Sequence, residues 1–220
     1  MFLNFLNEKL LQNILNRTFD VIFSLLFLSL FSPILFLIAL SIIIFDTSPV
    51  LFRHNRVGVN GTDFLLNKFR TMRVIQESSA GTFDAGDTSR ITKIGAFLRK
   101  TKLDELPQLW NVLIGDMSLV GPRPEVRKWV DAYPGRWSKV LTVKPGITDP
   151  ASILYRNEEE VLAAADDPKT YYRDVILPHK LDLYEDYVKN KSLLGDGIII
   201  IKTILIVLFP KRCSGQNLSS

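Results

Sequence analysis

The sequence predicts an α/β fold of a mostly helical kind, anchored to a membrane, and three observations carry that expectation. The 25 residues from Val21 to Phe45 are almost entirely apolar and carry no charge. Two short apolar runs flank Asn60-Gly61, a strong hairpin signal. Prolines and glycines divide the rest of the chain into short stretches of helical character. At 220 residues there is room for one domain with a membrane element attached. The 47% hydrophobic content and mean hydropathy of +0.15 are high for a soluble domain, and the excess sits at the two ends. A formal charge of +4 and a pI near 9.1 fit an anionic partner: nucleic acid, anionic lipid or a phosphorylated substrate. Cys213 is the single cysteine, which excludes an intrachain disulfide framework and fits a reducing compartment.

From Met1 to Leu15, Phe2, Phe5, Leu6, Leu10 and Ile14 recur at helical spacing between polar residues, the pattern of a helix lying on a membrane surface. The apolar run that follows would make roughly 37 Å of helix at 1.5 Å per residue. That is enough to cross a hydrocarbon core about 30 Å thick. The run is too long for a cleaved signal peptide, and no small-x-small site follows it. Ser32-Pro33 stands in its middle, where proline removes a backbone hydrogen bond and crowds the preceding turn, so a bend is expected. Lys9 and Arg17 precede the run and Arg53 and Arg56 follow it, so positive-inside counting favours neither orientation. Two arrangements meet these facts: a kinked span, and a re-entrant helix-break-helix with both ends on one side.

Beyond the membrane segment, Pro49–Phe52 and Phe64–Phe69 read as strands. Lys68, Arg70 and Arg73 form a small basic cluster, and the plain reading of such a cluster is a solvated strand edge. Residues 76–90 are polar and rich in Gly, Ser and Asp, the composition of a loop. Arg90 to Lys102 is basic and amphipathic, with Ile91, Ile94, Phe97 and Leu98 on one face, suiting a helix against a membrane or a core.

The candidate site lies in FLRKTKLDELPQLWNVLIGDMSLVGPRPE, Phe97 to Glu125. Two adjacent carboxylates, Asp104 and Glu105, are bracketed by Arg99, Lys100 and Lys102 on one side and by Arg123, between Pro122 and Pro124, on the other. Pro107 is tolerated in a first helical turn but not in an interior, so a helix ending near Ile114 should begin close to Asp104, with Gly115 as its stop. The pair would then sit at a helix N-terminus, where free N–H groups favour anions and the two carboxylates can converge on one metal or phosphoryl group. Simple helix capping by Asp104 explains the same spacing. The plain reading of Arg123 is an ordinary surface arginine, yet flanking prolines stiffen a donor suited to bidentate phosphate recognition.

These motifs resemble the bacterial sugar transferases, the monotopic polyprenyl-phosphate phosphoglycosyl transferases. The likeness runs from about Arg17 to Leu208 and rests on NRTFD, Ser32-Pro33, KFRTM, RITKIGAFLRKTKLDELPQLWNVLIGDMSLVGPRPE and KPGIT at Lys144–Thr148. It implies transfer of a sugar-1-phosphate from a UDP-sugar to undecaprenyl phosphate, with release of UMP, through a covalent intermediate and with Mg²⁺. Asp104 is then expected as the nucleophile, Asp104 and Glu105 as the residues that hold or orient the metal, and Arg99, Arg123, Lys68 and Arg70 as phosphate binders. Ser32 and Pro33 match the break of a re-entrant helix. The family usually carries a basic pair before the membrane run; here Asn16 takes the first place, leaving Arg17 and Asp20. The implied partners are the UDP-sugar, undecaprenyl phosphate and membrane lipid, without nucleic acid and with a homodimer left open. The implied location is the cytoplasmic face of a bacterial inner membrane.

In the last third, Trp129, Tyr133 and Trp137 read as core or interface aromatics. KPG reads as a turn before Ile147–Leu154. Residues 158–187 are acidic and helical, with breaks at Pro168 and Pro178. Asp166-Asp167 lacks neighbouring cations and reads as a solvated helix end, and His179 as structural. Ile198–Phe209 is too short to span and suits an interfacial helix before Lys211-Arg212. The expected division is residues 1–48 as membrane element and 49–220 as catalytic domain. Two rivals remain: direct glycosyl transfer, which would release UDP, and a membrane-tethered basic module that binds nucleic acid or anionic lipid.

Overall fold

The computed structural model describes residues 2–46, 48–73 and 89–209. Helix α1 (Phe2–Asp46) is a single run of 45 residues that includes Pro33. Strands β1 (Leu51–Val57) and β2 (Asp63–Phe69) form an antiparallel hairpin. Its turn bends where expected, with Asn60 at φ 56° and Gly61 at φ 77°. Helix α2 (Lys93–Thr101), a 3₁₀ turn (Leu103–Glu105) and helix α3 (Gln108–Ile114) follow. Strand β3 (Ser118–Val120) lies parallel to β4 (Gly146–Thr148), with α4 (Arg127–Val130) and α5 (Pro134–Val140) between them. Helices α6 (Pro150–Leu154), α7 (Glu158–Ala163), α8 (Pro168–Tyr171), α9 (Leu177–Asn190) and α10 (Leu193–Leu208) complete the order. The expected polar loop lies outside the described residues apart from its last two positions. The Lys211-Arg212 pair, Cys213 and the apolar face of Phe2, Phe5, Leu6 and Leu10 also lie outside what is described.

Three apolar clusters hold these elements. Trp129, Trp137, Tyr172, Leu177, Leu181 and Tyr184 centre the first, which is the core role read from the aromatic spacing. In the second, Phe19, Phe23, Phe27 and Leu28 of α1 pack on Leu109, Val112, Met117 and Leu119. In the third, Ile38 and Ile42 of α1 meet Phe69 and Leu98, with Ile94 alongside. Phe97, expected on that same face, is instead exposed. The helix it belongs to starts at Lys93, capped by the Thr92 hydroxyl on Gly95 N, and this start turns Leu98 rather than Phe97 inward.

Polar contacts fasten α1 to the domain. Arg17 donates to the Val112 and Leu113 carbonyls at 2.6 and 2.7 Å, satisfying the C-terminal end of α3. One turn on, Asp20 accepts from Ser118 Oγ and Leu119 N at 3.1 and 2.9 Å. The NRTFD stretch is therefore a clasp as well as the start of an apolar helix. At the midpoint, Pro33 cannot donate to the Ser29 carbonyl, and the Ser32 hydroxyl does so instead at 2.8 Å. This substitution lets the helical run continue through Pro33, where the sequence marks a bend.

Pro178 likewise fails to break the chain. It lies in the first turn of α9, and a π turn at Tyr172–Ile176 joins α8 to α9 ahead of it. Asp166 and Asp167 are exposed, and Asp167 caps α8 through Lys169 N and Thr170 N, the solvated helix end expected of them. His179 Nδ1 meets Tyr155 Oη at 2.6 Å, a structural tie.

Candidate active site

The carboxylate pair reaches its place through a sharp local turn. Helix α2 ends as Lys102 takes the left-handed conformation, φ 59°, and Leu103–Glu105 then form a separate 3₁₀ turn. Helix α3 begins only at Gln108, with Pro107 before it and Gly115 at φ 99° closing it. The pair is therefore not in the first turn of α3, as the proline spacing suggested, and no side-chain cap bond is made there. Capping does not consume Asp104. Its side chain is buried, and Oδ1 has no hydrogen-bond partner among the described residues. Burial, reinforced by the neighbouring Glu105 charge, pushes the Asp104 carboxyl above its ordinary value. A buried oxygen of this kind is what an incoming group would satisfy.

Glu105 has the opposite environment. Lys68 Nζ stands 2.9 Å from its Oε1, and Arg123 Nη2 stands 2.5 Å from the same atom. Arg123 Nη1 lies 3.4 Å from Oε2. Burial works against ionisation, but the Arg123 and Lys68 charges hold Glu105 well below the usual carboxylate range. Glu105 in turn holds Arg123 well above its usual value. Burial pulls Lys68 down, opposed by Glu105. Adjacent carboxylates are thus driven apart: Glu105 stays ionised among cations, and Asp104 keeps an open oxygen.

Two elements supply the cations. In the hairpin register Phe52 lies opposite Lys68, so alternation places Phe52, His54, Arg56 and Lys68 on one face. Burial, with the Arg56 and Lys68 charges, lowers His54 to about 4, so it is neutral at physiological pH. Arg123 stands in the loop after β3. A Cβ on Gly146 would fall 2.1 Å from Gly121 N, so β4 and the start of this loop approach too closely for any larger residue. Beyond the loop, Val57 N donates to the Glu125 carbonyl at 2.9 Å and Arg56 to the Pro124 carbonyl at 3.3 Å.

Of the residues expected at the site, the structure joins Asp104, Glu105, Lys68 and Arg123. It directs two others elsewhere. Arg70 is buried and donates to the Asp46 and Ser48 carbonyls, closing the end of α1. Arg99 pairs with Glu159 at 2.6 Å, linking α2 to α7. Ser32 and Pro33 belong to the apolar helix and have no part in the charged cluster. Residue order did not single out Arg56, Glu125, Tyr172 or Lys180 as interacting groups, although all are largely buried and linked to one another. A proline on each side of Arg123 and a glutamate after them were the available signal.

For a metal, the described residues contain no cluster of three or more His, Cys, Asp or Glu side chains. Asp104 Oδ1 is open, and Glu105 Oε2 has only the long contact to Arg123. Two carboxylate oxygens are enough for an ion that takes its remaining ligands from water and substrate phosphates.

The family model for bacterial sugar transferases matches residues 11–210, and the chain belongs to that family. It is 36% identical over 197 residues to the UDP-N-acetylgalactosamine-undecaprenyl-phosphate N-acetylgalactosaminephosphotransferase of Aeromonas hydrophila. That match covers 88% of this chain and 44% of the relative. Identity is 40% over 159 residues to the UDP-glucose:undecaprenyl-phosphate glucose-1-phosphate transferase of Escherichia coli K12, covering 69% of this chain and 33% of that protein. With the exopolysaccharide production protein ExoY of Sinorhizobium fredii it is 36% over 211 residues, covering 89% and 86%. The chain thus spans less than half of the two longer relatives and most of the third. Family membership and one helix long and apolar enough to cross a membrane, Ile14–Asp46, make this a membrane-associated protein.

Proposed function

We propose that this chain transfers a sugar-1-phosphate from a UDP-sugar to undecaprenyl phosphate, the first step in assembling a surface polysaccharide. The observation that carries the reading is the Asp104–Glu105 pair: one buried carboxylate with an open oxygen beside one clamped by Lys68 and Arg123. The printed names of the relatives from Aeromonas hydrophila and Escherichia coli support the same class of reaction.

In the first half-reaction Asp104 Oδ1 attacks the β-phosphorus of the donor. The bond from that phosphorus to the bridging oxygen breaks, and UMP leaves with the oxygen. Lys68 and Arg123 stabilise the charge that develops on the phosphoryl oxygens, with Glu105 setting their positions. In the second half-reaction a phosphate oxygen of undecaprenyl phosphate attacks the same phosphorus, and the Asp104 Oδ1–P bond breaks to restore the carboxylate. Both nucleophiles are anionic, so neither step needs a general base. Mg²⁺ would be held by Glu105 Oε2 and the Asp104 carboxylate before Oδ1 attacks, and would neutralise diphosphate charge as a Lewis acid.

Membrane placement follows from the same features. Both halves of α1 pack on the folded domain, Phe19–Leu28 on α3 and β3 and Ile38 and Ile42 on the hairpin and α2. This supports a re-entrant helix bent at Ser32-Pro33 that enters and leaves by the cytoplasmic face of a bacterial inner membrane. Exposed Phe97, Trp110, Ile114, Leu194, Ile198 and Ile201 would lie at its interface. Cysteine labelling before Arg17 and after Arg53, on a Cys213→Ser background, should report both positions on one side; labelling on opposite sides sinks the hairpin.

The deciding experiment supplies undecaprenyl phosphate and a panel of UDP-sugars and identifies the nucleotide released. UMP is expected, with Asp104→Asn inactive but still in the membrane. UDP would mean direct glycosyl transfer, and near-normal UMP release by Asp104→Asn would remove the covalent step.

A further inference from the structure

Next to the Pro-Arg-Pro loop lies a second set of charges, joined to it through Arg56 and Glu125, that the phosphoryl chemistry does not use. Glu125 is 4% exposed, Lys180 2% and Tyr172 1%, burial that such groups rarely reach without a dedicated set of partners. Glu125 Oε1 accepts a short hydrogen bond from Tyr172 Oη and lies 3.8 Å from Lys180 Nζ. Its Oε2 pairs with Arg56 Nη1 at 3.3 Å. Lys180 Nζ in turn donates to Tyr172 Oη at 3.3 Å and pairs with Glu158 at 2.8 Å. Two cations and two anions balance. Five segments meet here: β1, the Pro-Arg-Pro loop, α7, the π turn and α9.

We propose that this buried set, with Glu125 at its centre and Tyr172 as its main donor, is a positioning device that aims Arg123 at the donor diphosphate. The proposal rests on the reading of Arg123 as a phosphate ligand. Its physical basis is the stiffness of the link. Pro122 and Pro124 fix φ on either side of Arg123, so the loop has little freedom to absorb a shift in its anchor. The anchor is held at three consecutive points: Arg56 on the Pro124 carbonyl, Val57 N on the Glu125 carbonyl, and Tyr172 with Arg56 on the Glu125 carboxylate. Arg56 also shares a strand face with Lys68, so the same brace registers both cations that grip Glu105. The π turn gives Tyr172 its role: it inserts the ring between Trp129, at 5.1 Å, and Lys180, directing the hydroxyl at Glu125. Such insertions recur at functional sites.

The test uses the full chain in nanodiscs, UDP as the probe of the diphosphate site, and Tyr172→Phe as the mildest perturbation. Losing one hydrogen bond to a charged group should weaken UDP binding about tenfold. The melting midpoint should fall by a few degrees, because a buried hydrogen bond is lost, while the KM for undecaprenyl phosphate should not change. In an Arg123→Lys background, Tyr172→Phe should add little further loss, because both changes act through one side chain. Unchanged UDP affinity in Tyr172→Phe would overturn the proposal. So would equal losses in both backgrounds, or a loss of UDP affinity matched by an equal rise in the acceptor KM. Glu125→Gln is the second variant, keeping the shape and removing the charge, with the same expected split between UDP affinity and acceptor KM and a larger fall in the midpoint, because Arg56 loses its charged partner. If Arg123→Lys alone leaves UDP binding intact, it is the phosphate-ligand reading that falls, and the brace falls with it; losses in both single variants, with little further loss in the double variant, sustain both.

Discussion

Replacing Glu105 with glutamine probes the arrangement of the site most directly. The change keeps the volume and removes one charge from between two cations. Lys68 Nζ and Arg123 Nη2 lie 2.9 and 2.5 Å from Glu105 Oε1, and all three side chains are at least 70% buried. At an effective dielectric near 20, each contact is worth about 6 kcal/mol before desolvation is counted. Desolvation offsets much of that, and breaking a buried pair costs about 3–5 kcal/mol because a charge is left without its partner. For a chain of this size about 2–4 °C accompanies each kcal/mol, so the midpoint should fall by about 10 °C. The pH dependence has a definite sign. The Glu105 carboxyl is held below its unfolded value of 4.5, so its stabilisation is complete above that pH and disappears as pH falls through the lower folded value. The gap between wild type and Glu105→Gln should therefore be constant from about pH 6 to 8 and close in acid. Differential scanning fluorimetry in nanodiscs measures both. A variant melting within about 2 °C of wild type at neutral pH would refute the clamp.

Two further outcomes follow from the same geometry. Burial and the Glu105 charge raise the Asp104 carboxyl above 3.8, and the nucleophile must be ionised. UMP release measured as kcat/KM should then fall in acid with a slope of about one, at an apparent pKa above that of a free aspartate; a flat profile down to pH 4 would contradict it. Arg17→Ala removes two charge-assisted bonds to the end of α3, at 2.6 and 2.7 Å, and should destabilise by about 2 kcal/mol while leaving membrane association intact. Denaturation and membrane flotation of the same preparation check both halves, and loss of flotation would show that the clasp governs insertion instead.

Much of this protein was legible in residue order because it rests on local rules. Apolar length determined α1, Asn60-Gly61 determined the hairpin, and Gly115 determined where α3 stops. The adjacency of Asp104 and Glu105 and the rigid placement of Arg123 were visible as well. Their pairing was not. Lys68 lies 37 residues before Glu105 and Arg123 lies 18 after it, and folding alone decides that both reach one oxygen. By the same token Arg99, so close to the pair in sequence, is claimed by Glu159, 60 residues away, and Arg70 by the end of α1. Residue order likewise put the carboxylates in the first turn of the helix that Pro107 opens, whereas Lys102 turns left-handed and sets them in a separate 3₁₀ turn. The sequence determined which groups are present and which segments are regular; the tertiary structure decided which charges are paired and which oxygen stays open. The reason is that charge pairing depends on distance and burial, and neither is a property of spacing along the chain.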